Sequence, residues 1–179
     1  RKRMPDPRLV SLNHRLRNLA AQEGVPPQRV RNRHVFQRVL ARLARDPRWV
    51  LKGGFSLELR LGLAARTTKD LDLLRWDAFG LSADDLQDLL DEALEVDLGD
   101  DCTFTVRRPR QVRAEDEMPS TWRVVVDVQV ARSPFETVTI DVVTSPVEPT
   151  NGVDAVEVRP VLGGEPFSVR SVDLSRHAA

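Results

Sequence analysis

Two aspartates separated by a single leucine, Asp70 and Asp72, stand inside the apolar run "TKDLDLL". Polar and apolar residues alternate from 68 to 76, which predicts a strand with both carboxylates on one face. Carboxylates this close repel each other, and a divalent cation such as Mg²⁺, held by one or two carboxylates with water and phosphate, relieves that repulsion. A third carboxylate from a neighbouring strand would complete a two-metal site for in-line phosphoryl displacement.

The later apolar segments offer two candidates for the third carboxylate, Asp127 in "RVVVDVQVA" and Asp141 in "TVTIDVVTS". A hairpin folded about Ser133 and Pro134 would place Val126 opposite Asp141 and turn Asp127 to the other face of the sheet. Only one of the two could then join the aspartate pair, and a slip in register would exchange them. The strand pattern alone therefore leaves both candidates open.

A glycine pair, Gly53 and Gly54, separates the predicted strand "RWVLK" from the predicted helix "FSLELRLGL". Such a turn gathers backbone N–H groups and the positive end of a helix at one point, which suits a triphosphate. Ser56 adds a hydroxyl in the first turn, and Arg66 and Lys69 flank the aspartates, where they could contact phosphate. Each feature alone is common in ordinary structure, but the order strand, turn, helix, strand favours a site.

Hydrophobic periodicity and turn residues predict a helical start followed by a β-rich remainder. We expect an α+β fold with a mixed sheet, divided into an N-terminal helical segment (1–47) and a core (48–179). The predicted helices cover 8–23, 30–44, 55–63 and 82–97, and the predicted strands cover 48–52, 68–76, 102–109, 121–131, 136–145, 156–161 and 167–173.

The composition is that of an ordinary globular chain: 179 residues, 41% hydrophobic and 30% charged, with zero net charge. No apolar run reaches the roughly 18 residues of a membrane span, so we expect no membrane association. The single cysteine, Cys102, allows no internal disulfide, which fits a cytoplasmic protein. Arginines crowd residues 1–48, and this segment is either an RNA-binding face or a solvated helix surface.

The segment "LKGGFSLELRLGLAARTTKDLDLL" resembles the first motif of the AbiEii/AbiGii nucleotidyltransferase toxin family, which includes the MenT-type toxins, in the DNA-polymerase-β-like superfamily. The resemblance extends in organisation over about residues 35–145 and implies a nucleotidyltransferase-like mixed sheet flanked by helices. The matching positions are Lys52, Gly53, Gly54, Arg66, Thr68, Asp70, Leu71 and Asp72.

This resemblance implies a Mg²⁺-dependent toxin that transfers a nucleotidyl group from an NTP to an RNA acceptor, the 3′ end of tRNA, with a cognate antitoxin as partner. The third acid of the family fits "TIDVV" and hence Asp141. Asp70 and Asp72 would then hold both metals, and Asp141 would hold the catalytic one and take the acceptor's proton. The implied nucleotide-binding residues are Lys52, Gly53, Gly54, Ser56, Arg66, Thr68 and Lys69.

The sequence departs from the family pattern at two places. Phe55 stands where many relatives have threonine, and no lysine follows Lys69, although the family carries a later lysine on a helix and then a further acidic motif. The C-terminal helical part of the family is therefore expected to be absent from this chain, with weak or no activity. One alternative is a non-catalytic module that binds nucleotide or a partner protein. A second is a sugar transferase, and the glycine turn upstream of the aspartates counts against it.

Overall fold

The structure is a computed structural model that describes residues 4–61, 68–113 and 120–172. Within these residues it contains four helices and eight strands, so the α+β class predicted from the sequence is confirmed. The helices are α1 (Pro7–Glu23), α2 (Pro27–Leu43), α3 (Gly53–Leu61) and α4 (Ala83–Leu94). The strands are β1 (Trp49–Lys52), β2 (Asp70–Trp76), β3 (Cys102–Val106), β4 (Arg110–Arg113), β5 (Ser120–Val130), β6 (Ser133–Ser145), β7 (Val153–Val158) and β8 (Phe167–Val172).

All eight strands belong to one mixed sheet. Seven follow the order β3-β5-β6-β2-β1-β8-β7, and β4 pairs with β5 beside β3. The pairs β2–β6 and β1–β8 are parallel and the others are antiparallel. Strand β2, which carries the aspartate pair, is therefore central, with the glycine turn after β1 on one side and β6 on the other.

The helix ends follow from local chemistry. Asp6 caps α1 by accepting the backbone N–H of Arg8, and Gly24 ends that helix in the left-handed conformation. Ser82 and Asp85 form the reciprocal capping box of α4 that the sequence suggests. Helix α3 begins at Gly53, two residues earlier than predicted, so the glycine pair is the first part of the helix itself.

The two faces of the central strands differ in burial. Leu71 and Leu73 of β2 and Ile140 and Val142 of β6 are fully buried in the hydrophobic core. The alternate residues of both strands, which include the aspartates, are only partly buried. Since side chains alternate along a strand, the acidic residues occupy the more open face of the sheet.

Helices α1 and α2 contribute to the same hydrophobic core as the strands, through residues such as Leu16 and Phe36. Among the described residues, no helix is long and apolar enough to cross a membrane.

Many arginines of α1 and α2 turn towards acidic residues elsewhere in the chain. These ion pairs attach the two helices to the sheet, its loops and α3. The pairs are Arg8–Asp101, Arg29–Glu58, Arg31–Glu136, Arg38–Asp100 and Arg42–Asp100.

Candidate active site

Four charged side chains form a row across the centre of the sheet. Lys52 of β1 is the register partner of Asp72 of β2, Asp72 is the partner of Asp141 of β6, and Asp141 is the partner of Arg123 of β5. Register partners lie on the same face, about 4.8 Å apart at the backbone. The row therefore reads cation, carboxylate, carboxylate, cation, and Asp70 lies two residues from Asp72 on the same face.

The predicted hairpin register between β5 and β6 is wrong. Val126 pairs with Val138, not with Asp141, and the two-residue turn is Ala131–Arg132 rather than Ser133–Pro134. The pairing thus differs by three residues from the prediction, and an odd shift exchanges the faces of one strand. Asp127 consequently lies on the same face as Asp141, contrary to expectation.

Asp127 nevertheless stands apart from the charged row. It is four residues from Arg123 along β5, roughly 13 Å at the strand rise. Its two carboxylate oxygens accept hydrogen bonds from Arg107 Nε and Nη2, each 2.8 Å long, and Thr137 Oγ1 donates a third. Of the two candidates left open by the sequence, Asp141 is the one beside Asp72.

The glycine pair is required by close contacts with the aspartate strand and the residues before it. Gly53 has a φ of +73°, in the left-handed region, and a Cβ added there would collide with the carboxylate of Asp72. A Cβ at Gly54 would lie 2.7 Å from Thr68 Oγ1. The start of α3 therefore touches both Asp72 and Thr68, and its free N–H groups lie beside the carboxylate pair.

We expect Gly53→Ala to destabilise the fold. A left-handed conformation costs a non-glycine residue about 1–2 kcal/mol, and the collision with Asp72 adds to that cost. Gly80→Ala is the matched control, because Gly80 has a φ of +74° with open space around it. Urea unfolding should show a larger loss of stability for Gly53→Ala, by at least about 1 kcal/mol. Equal losses in the two variants would refute the proposed contact.

Two residues of α3 face the protein interior instead of solvent. Phe55 is fully buried and packs edge-on against Phe36 of α2, with ring centroids 5.2 Å apart, which accounts for an aromatic residue where relatives have threonine. Ser56 is also fully buried, and its hydroxyl is hydrogen-bonded with that of Ser171 in β8. Because Ser56 has no surface open to a phosphate, we omit it from the phosphate-binding set.

The other predicted nucleotide-binding residues lie around the same point. Lys52 and Thr68 are partly buried, next to Gly53 and Gly54, and Lys69 is exposed beside Asp70. Arg66 lies outside the described residues.

The electrostatics of the row reflect its two adjacent carboxylates. The pKa of Asp72 is raised, first by desolvation on burial and then by the negative charges of Asp141 and Asp70, while Lys52 and Arg123 oppose the rise. Arg123 Nε donates to Asp141 Oδ1 at 3.0 Å, and this bond raises the pKa of the guanidinium. The raised pKa of Asp72 is therefore mainly a consequence of its burial, with Lys52 as the strongest opposing influence.

Carboxylate oxygens such as those of Asp72 and Asp141 are the ligands that hard divalent cations prefer, but these side chains alone do not surround a cation site. No three histidine, cysteine, aspartate or glutamate side chains converge into a cation-binding group anywhere in 4–61, 68–113 and 120–172. A magnesium ion needs only one or two protein carboxylates when water and phosphate supply the remaining oxygens. The adjacent Asp72 and Asp141 meet that requirement.

Sequence reasoning missed Arg123 and, beside it, Arg110 of β4. Arg110 is the register partner of Arg123, so the row extends to a fifth strand with a second arginine at one end. The signal was weak because β4, "RQVR", has little apolar character and was not predicted as a strand. The alternating pattern of β5 did place Arg123 on the polar face, but only the register connects it to Asp141.

Comparison with known proteins identifies one family. The family model described as the nucleotidyl transferase AbiEii toxin of a type IV toxin–antitoxin system matches residues 34–179. Among curated proteins, none matches the chain significantly. The matched region contains the glycine turn, the aspartate strand and Asp141, so it includes the whole charged row.

Proposed function

Because the chain belongs to the AbiEii family of nucleotidyl transferase toxins of type IV toxin–antitoxin systems, we propose that it transfers a nucleotidyl group from an NTP to an RNA acceptor, the 3′ end of tRNA. The observation that carries this proposal is the row in which Asp72 and Asp141 lie side by side, with the glycine turn at the Asp72 end. Family membership also implies a cognate antitoxin. We further propose a cytoplasmic location, where NTP and tRNA are found.

The residues of the chain divide the work of the transfer. The N–H groups at the start of α3, at Gly53 and Gly54, bind the β- and γ-phosphates, and Lys52 and Lys69 add positive charge. A divalent cation, which transferases of this family usually use, would be held by Asp72 and Asp141 together with water and phosphate oxygens, with Asp70 two residues away on the same face, and would neutralise the developing charge on the phosphates.

The transfer itself makes one bond and breaks one. The hydroxyl oxygen of the acceptor bonds to the α-phosphorus, the bond from that phosphorus to the pyrophosphate oxygen breaks, and Asp141 accepts the hydroxyl proton. Asp141 is suited to this role because it lies beside Asp72 on the side away from the glycine turn, where the acceptor must enter.

A transfer assay with labels at two positions tests the proposal. The chain is incubated with Mg²⁺, total RNA and each ribonucleoside triphosphate, labelled either on the α- or on the γ-phosphate. We expect α-label to enter RNA of tRNA size and γ-label to leave as pyrophosphate. Entry of γ-label into RNA would instead indicate phosphoryl transfer and contradict the proposal.

The alternative is a module that binds nucleotide without turnover. The burial of Ser56 favours it, because this hydroxyl is hydrogen-bonded to that of Ser171 and offers no donor to a phosphate. Retained NTP binding with no transfer of either label, under any of the NTPs, would support this second function.

A further inference from the structure

The two arginines at one end of the row have no role in the transfer as described so far. Arg110 and Arg123 are register partners on β4 and β5, and both are exposed. Like charges directly opposite each other on a sheet are unfavourable. Within the described residues, Asp141 is the only acidic group that pairs with Arg123, and none pairs with Arg110. Among the residues that the structure describes, the pair therefore carries more positive charge than its neighbours neutralise.

The contact between Arg123 and Asp141 leaves most of the guanidinium available. Only Nε of Arg123 donates to Asp141, so the two terminal nitrogens remain free of protein partners among the described residues. The Arg123 side chain is 43% exposed, whereas that of Asp141 is 19% exposed. A planar guanidinium with free terminal N–H groups is the side chain best suited to bind a phosphate in a bidentate manner.

The position of the arginines determines which phosphate they can reach. The glycine turn is at the Lys52 end of the row, and Arg123 is three strand spacings away, roughly 14 Å at the backbone. In an in-line displacement, the attacking and leaving oxygens lie on opposite sides of the transferred phosphorus. If pyrophosphate leaves towards the glycine turn, the nucleophile enters from the side of Arg123.

We propose that Arg110 and Arg123 bind a backbone phosphate next to the 3′ end of the RNA acceptor and so deliver its hydroxyl to the carboxylates. This inference rests on the proposed function, because it assigns the arginines to the acceptor of that reaction. Both are binding residues in this role, and the triphosphate makes no contact with them.

Equilibrium binding in the absence of NTP tests the inference directly. The probe is a short fluorescent single-stranded RNA with a free 3′ hydroxyl, titrated with the chain and followed by anisotropy. Arg110→Met and Arg123→Met should each weaken binding about tenfold and lower the salt dependence by about one phosphate contact. Arg123→Lys should recover much of the affinity because it keeps the charge. The affinity for NTP should remain within about twofold of the parent chain.

The chain offers a matched control on the same face of the sheet. Arg107 also pairs with an aspartate, Asp127, through Nε and Nη2, and Arg107 is 57% exposed. Arg107→Met makes the same change in charge outside the row and should weaken RNA binding much less. Asp141→Asn releases Arg123 from its carboxylate and should strengthen RNA binding more than Asp127→Asn does.

The results separate this inference from the proposed function. Equal RNA affinities for Arg123→Met and Arg107→Met would overturn the inference, even if label transfer by the parent chain succeeds. A selective loss of RNA binding in Arg123→Met would support it, even if the parent chain transfers no label. If Arg110→Met and Arg123→Met instead lose NTP affinity and keep their RNA affinity, the arginines bind the triphosphate, and the inference is overturned.

Discussion

Asp72→Asn is expected to reduce nucleotidyl transfer by at least about a thousandfold, equivalent to about 4 kcal/mol of transition-state stabilisation. Asp72 lies at the centre of the charged row, between Lys52 and Asp141. It also lies so close to the start of α3 that a Cβ at Gly53 would collide with its carboxylate. Under the proposed function, loss of its charge would remove a ligand of the divalent cation and leave the triphosphate and the remaining carboxylates without a shared counter-ion. The measurement is the initial rate of transfer of α-labelled NTP to RNA.

The same substitution should leave the free energy of unfolding in EDTA unchanged or higher. The raised pKa of Asp72 means that the folded state binds this proton more readily than the unfolded state. The contribution of Asp72 to stability therefore falls as the pH rises through that pKa, and asparagine removes the penalty. Asp127→Asn is the control: it lies on the same face and its pKa is lowered by Arg107 and Thr137, so it should cost stability and little activity. A large loss of activity in Asp127→Asn with full activity in Asp72→Asn would contradict the prediction, because it would assign the catalytic carboxylate to Asp127 instead of Asp72.

The face of the aspartate pair could be predicted from sequence because a strand has a period of two. The alternation in "DLDLLRW" is reproduced as alternating burial along β2, with Leu71 and Leu73 buried and both aspartates more open. The glycine turn was also predictable as a turn between a strand and a helix. Its requirement for glycine was not, since the groups that a Cβ would meet come from residues 68 and 72.

The pairing of β5 with β6 could not be obtained from the sequence. The turn residues Ala131 and Arg132 both have positive φ, of 50° and 68°, although neither is the asparagine or glycine that usually indicates such a turn. Pro134 suggested the turn but lies within β6, next to an irregularity opposite Gln129. Without the register of β5 against β6, the sequence predicts the wrong face for Asp127 and gives no indication that Arg123 contacts Asp141.

The role of the arginine-rich N-terminal segment was equally inaccessible, because its partners are far away in sequence. Arg42 lies 58 residues before Asp100, and Arg31 lies 105 residues before Glu136. A local excess of basic residues predicts a positive surface, yet pairing across the fold neutralises much of that charge. The cationic surface that the structure leaves beside the carboxylates is instead at β4 and β5.

Arg42→Met is expected to destabilise the fold by about 3–5 kcal/mol, because it leaves Asp100 without its principal counter-ion in a partly buried position. The Arg42 side chain is fully buried, and its Nη1 and Nη2 donate to the two carboxylate oxygens of Asp100 at 2.9 and 2.8 Å. Its Nε donates to Val96 O, and its guanidinium stacks on Phe104 at 4.8 Å. The variant therefore loses a bidentate ion pair, a bond to a backbone carbonyl and a cation–π contact together, and urea unfolding measures the loss.

Arg8→Met is the matched control for this prediction. Arg8 also pairs with an aspartate of the same loop, Asp101, at 2.8 Å, but its side chain is 57% exposed. Because an exposed ion pair contributes little to stability, the control should unfold at nearly the parent urea concentration. Similar small losses in both variants would contradict the assignment of Arg42 as the residue that holds α2 to the loop before β3. A large loss confined to Arg42→Met would show that Arg42 serves the fold by holding α2 to the loop before β3.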